Sequence, residues 1–74
     1  MTEHKRQMLS RLCSILKGLG LSRDQCIGVM SMMATEQMVL EIVEALEEKG
    51  FKTTPQETMN ICSAVIKNHL DELD

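Results

Sequence analysis

The chain has 74 residues, 43% of them hydrophobic, a formal net charge of −3 and one aromatic side chain, Phe51. That length admits one domain at most, and such a domain buries only about 60% of the surface its unfolded chain exposes, so its core is marginal when alone and self-association is a natural remedy. No apolar run approaches the roughly 18 residues of a membrane span, and the polar start Met1-Thr2-Glu3-His4-Lys5-Arg6 leads into no uninterrupted apolar stretch of the secretory kind, so a soluble, cytoplasmic protein without a membrane partner is expected.

With almost no aromatics, aliphatic and Met side chains must fill the core, which favours helices over a sheet. The first predicted helix covers residues 2–19 and places Met8, Leu9, Leu12, Ile15, Leu16 and Leu19 on one stripe. Gly20 closes it in a left-handed turn, with Leu21 folding back on Leu16 in a Schellman closure. Ser22 then caps a second helix over 23–33, and Gln25 completes a capping box. In that helix Cys26, Ile27, Met30 and Met33 share one side while Val29 and Met32 point elsewhere.

Thr35 can cap a third helix, Glu36 suits its positive end, and Met38, Val39, Ile42, Val43 and Leu46 continue the apolar stripe. Neither Gly nor Pro separates helices two and three, so a single bent helix over 23–49 is the alternative. Gly50 ends this segment, with Phe51 placed to pack on Leu46. Thr54, Pro55 and Glu57 open a fourth helix with a second capping box, and Met59, Cys62, Val65, Ile66, His69, Leu70 and Leu73 form its buried side. The acidic tail Asp71-Glu72-Leu73-Asp74 opposes the negative helix end and should fray. The expected fold is all-α: one compact bundle of three or four short helices over residues 1–74.

Cys13, Cys26 and Cys62 are odd in number, widely spaced and beside apolar positions, which reads as buried free thiols, with an intermolecular disulfide or a reactive thiol as the alternative. Residues 1–34 carry five cations and two anions, a net +3; residues 35–74 carry three cations and nine anions, a net −6. Either the basic first helix meets an acidic partner while the acidic half meets a basic one, or solvated faces of opposite sign attract within the bundle or across a dimer. Helices two and three have the outline of a helix-turn-helix, but the third presents Glu36, Glu41, Glu44, Glu47 and Glu48, which phosphates repel. Nucleic-acid binding is therefore left to Lys5, Arg6 and Arg11 on the first helix.

Nothing in the sequence carries catalysis. His4 lies near the terminus and His69 beside the apolar face of helix four, neither at a spacing that pairs it with a Cys or Ser nucleophile, and no Gly-rich phosphate loop is present. Cys62 and His69 are two turns apart, too far to share a metal without other ligands. No cofactor, metal or enzymatic activity is expected. Met30, Met32, Met33 and Met38, by contrast, fall within nine residues and spread around the helix, so they cannot all face one small core.

The series Gly20-Leu21-Ser22, Gln25, Met30, Met33, Thr35-Glu36-Gln37-Met38, Leu46 and Thr54-Pro55-Gln56-Glu57 resembles a set of short helical bacterial proteins of unknown function, over residues 16–66. That resemblance implies no activity and no site residues. The stretch from Leu16 to Cys26 is also similar to the first loop of ubiquitin-associated domains, where a hydrophobic-Gly-hydrophobic loop precedes a capped second helix and binds ubiquitin. Here Leu21 stands where an aromatic is usual, and an extra helix follows. The resulting expectation is a non-enzymatic protein-protein interaction module, a small regulatory or inhibitory accessory protein acting by surface occlusion or assembly. It would bind itself as a homodimer or another protein through Met30, Met32, Met33, Met38 and Leu40. Nucleic-acid binding by the first helix and a ubiquitin-associated-like role are the alternatives.

Overall fold

The computed structural model describes residues 3–72 and contains four helices: α1 (Glu3–Gly18), α2 (Arg23–Ser31), α3 (Glu36–Glu48) and α4 (Pro55–Glu72). No strand occurs among the described residues. This is the all-α bundle that the composition predicts, in its four-helix form.

Most of the helix boundaries have a local chemical cause. At the end of α1 the Leu21 N–H donates to the Leu16 carbonyl and the Gly20 N–H to that of Lys17, both at 3.1 Å, with Gly20 at φ 95°. These are the two bonds of a Schellman closure. Ser22 and Gln25 then form a reciprocal capping box: the Gln25 N–H donates to Ser22 Oγ at 3.2 Å and the Ser22 N–H to Gln25 Oε1 at 2.9 Å. Thr54 and Glu57 repeat the device at α4, with bonds of 3.1 and 3.2 Å. Each box satisfies two backbone donors that have no partner inside the helix.

The single bent helix over 23–49 does not form. The last turn of α2 tightens into i→i+3 bonds from Met32 to Val29 and from Met33 to Met30, while the Ser31 hydroxyl donates to the Gly28 carbonyl at 2.8 Å. Lys5 of α1 takes the Ala34 carbonyl at 3.0 Å, and Thr35, extended at φ −135°, caps α3 by accepting from the Met38 N–H at 3.3 Å. The break is thus held partly from another helix, which local sequence cannot show. At its far end α4 includes Asp71 and Glu72 of the acidic tail. An exposed carboxylate such as that of Asp71 at a helix C-terminus costs only a few tenths of a kcal/mol in water, roughly up to 1. Leu73 and Asp74, like Met1 and Thr2, lie outside the described residues.

α1 contacts α2 and α3, α3 contacts α4, and α2 meets α3 and α4 marginally at most. His4 and Lys5 reach Glu36 and Ala34 at one end, and α1 meets Phe51 at the other, so α1 and α3 run in the same direction. The core between them is Leu12, Leu16, Leu21, Cys26, Val29, Met33, Met38, Val39, Ile42, Leu46 and Cys62.

Several side chains differ from their expected places. α2 packs on its neighbours through Cys26, Val29 and Met33, which turns Ile27 outward, so Val29 rather than Ile27 is core. Leu70, expected on the buried side of α4, is 52% exposed because α2, across from that edge, packs on α4 marginally at most. Thr58 is fully buried instead: its hydroxyl donates to the Thr54 carbonyl at 2.8 Å and lies 2.6 Å from Thr53 Oγ1, which donates to it. Phe51 closes α3 as the second residue of a Schellman pair, its N–H donating to Leu46 at 3.0 Å. Its own φ of 54° is left-handed, and the residue is 41% exposed, bordering a hollow with Ile15 and Gly18 of α1 and the following Leu19.

Candidate interaction groove

The most distinctive surface of the chain lies where α2 and α4 come near each other with little packing, leaving an apolar groove of about 470 Å³ between them. Val29 and Cys62, both buried, lie at its base; Ile66 and Met59, partly buried, line the α4 side; Met32 and Leu70, about half exposed, stand at its edges. A β-carbon on Gly28 would meet nothing within 4 Å, so α2 presents a gap one turn before Met32. Gln25, Ser63 and Lys67 supply the polar lining, and among the described residues Lys67 is the one charged side chain in it.

The residues that the sequence puts forward divide among different places. Met33 and Met38 are core, and Met30 is partly buried against it. Met32 is at the groove. Leu40, 44% exposed, borders a separate small hollow between α1 and α3 with Met8, Arg11 and Val43. Leu70, Gly28 and Lys67 were not among the expected contacts; the wide apolar arc of α2 hinted at surplus surface, but which helix pair stays open depends on long-range packing.

The basic residues of α1 are also dispersed. Lys5 is engaged with the Ala34 carbonyl, while Arg6 and Arg11 are exposed. In the loop that is similar to that of ubiquitin-associated domains, Leu21 is buried in the core and Leu19 only partly exposed.

Two histidines join α3 to its neighbours. His4 Nδ1 lies 3.1 Å from Glu36 Oε1, and His69 Nε2 pairs with Glu41 Oε2 in a contact that leaves the imidazole largely buried. The three cysteines converge from α1, α2 and α4. All are free, with Cys26 and Cys62 buried and Cys13 partly exposed. Burial pushes the Cys62 thiol up to about 11 and also raises Cys26, with the Cys13 thiol beside it adding to the rise. Raised thiols are poor nucleophiles and reluctant metal ligands. Among the described residues no three His, Cys, Asp or Glu side chains are arranged to hold a metal ion, and no helix is long and apolar enough to cross a membrane.

No family model, no curated protein and no solved structure matches this chain. The functional reading therefore rests on the groove and the residues around it.

Proposed function

We propose that the protein is a non-catalytic protein-binding module that works by occluding a surface or joining an assembly, with the α2–α4 groove as its contact surface. The observation that carries this reading is the apolar opening between two helices that pack together marginally at most, edged by half-exposed Met32 and Leu70. Concave apolar surface with a few polar groups at its margin is the usual character of a binding site, and adaptable Met side chains suit a docking edge. The expected interface over helices two and three is accordingly narrowed: Met32 contributes to the groove, and α4 supplies the opposite wall in place of Leu40 and α3.

A photo-crosslinking residue at position 32, compared with one at the exposed Glu44 of α3, tests this. A discrete protein adduct from position 32 and none from position 44 is expected. Absence of any adduct from position 32 would remove the reading.

A further inference from the structure

We infer that the groove is covered by a second copy of this chain, in a two-fold dimer in which Met32 of each protomer seats over Gly28 of the other. This deepens the docking proposal and rests on it.

Two features select a second copy over a foreign partner. The first is that the patch carries both a knob and the hole to receive it. Met32, the C-cap of α2, projects at 47% exposure, and Gly28, four residues earlier within that helix, has open space where a side chain would stand. A two-fold axis makes residue i contact j while j contacts i, so an antiparallel crossing of α2 on its own copy fills both holes with both knobs. The second is the charge around the groove. Lys67 lines it, Asp71 lies one turn further along α4, and Asp24 lies one turn before Gly28 on α2; all three are exposed, and no ion pair joins them among the described residues. A margin of mixed sign complements itself when rotated by a two-fold, because each Lys67 turns toward an acidic margin, whereas a partner of single sign would meet like charge.

The test is light scattering coupled to size exclusion, with reductant present, from micromolar to millimolar chain concentration. The wild type should shift from monomer to dimer. Met32→Glu removes the knob, and Gly28→Leu fills the hole; each should weaken the dimer by about 30-fold, the scale of one interfacial hot spot. Circular dichroism should show helicity retained. Should Met32→Glu unfold, Gly28→Leu decides, because the added side chain enters open space in the monomer. Lys67→Glu makes the margin uniformly acidic and should weaken the dimer in low salt more than in high salt. A wild type that stays monomeric throughout overturns the second copy, as does a dimer indifferent to Gly28→Leu. If such a monomer still crosslinks a foreign protein from position 32, the docking reading stands without the dimer; if it crosslinks nothing, both fall.

Discussion

Gly20 sits at φ 95°, and a β-carbon there would stand 3.0 Å from Pro55 Cγ, whereas one on Gly28 would enter open space at an ordinary helical position. Gly20→Ala should therefore lower stability by about 1–2 kcal/mol, the cost of a left-handed L-residue, with the Pro55 contact adding to it. Gly28→Ala should raise stability by about 0.5–1 kcal/mol through helix propensity. Urea titration of both variants checks the opposite signs. Thr58 offers another test. Thr58→Val leaves the buried Thr53 hydroxyl without its acceptor and should cost about 1–3 kcal/mol, while Thr58→Ser keeps the bond and should cost less. The Cys62 thiol is held neutral by burial, with its ionisation pushed up to about 11 from an ordinary 9.0. Its contribution to stability is complete below pH 9 and is lost as pH rises through the folded value. The denaturation midpoint should fall between pH 9 and 11, and Cys62→Ala should flatten that fall, although Cys26 shifts in the same direction and supplies the remainder.

At the level of the helices, the capping boxes are the parts most open to direct test. Ser22→Ala and Thr54→Ala should each cost about 1 kcal/mol by thermal denaturation. The Thr54 N–H holds the Glu57 carboxyl below its usual range, so this group stabilises fully above pH 4.5 and loses its effect as pH falls through its lower folded value. Glu57→Gln keeps an acceptor but takes up no proton, and its stability deficit against the wild type should shrink in titrations taken below pH 4.5. These caps were legible in the sequence because each closes within three residues, and the stripe of α3 was legible because Met38, Val39, Ile42 and Leu46 follow the helical period. The separation of α2 from α3 was only half legible. Thr35 announced a cap, but the contact that draws Ala34 aside comes from Lys5, 29 residues away. The burial of Thr58 was missed because its polarity hid a position one turn before Cys62 on the same face.

Across the whole molecule, the groove was the least legible feature. Sequence patterns state which face of a helix is apolar, not which neighbour covers it, and in an α2 that is apolar over a wide arc the expected side of Cys26, Ile27, Met30 and Met33 was only one of those available. Packing chose Cys26, Val29 and Met33, leaving Ile27 to solvent and Met32 to the groove. Leu70 carried no local sign of exposure, since only the marginal packing between α2 and α4 uncovers it. The two histidine pairs belong to this scale as well, because each links α3 to a neighbouring helix and neither partner is close to the other in sequence.

The attachment of α2 to little besides α1 also bears on how the protein opens. Nine residues are too few to hold a helix in isolation, so α2 keeps its structure only while its seat on α1 is intact. Native-state amide exchange should accordingly release α2 in a partial opening, ahead of the amides around Leu12, Ile42 and Leu46, which await global unfolding. Whatever settles between α2 and α4 would have to arrest this motion before it gains affinity. Slowed exchange confined to α2 would then register occupancy, even where the time-averaged structure hardly changes.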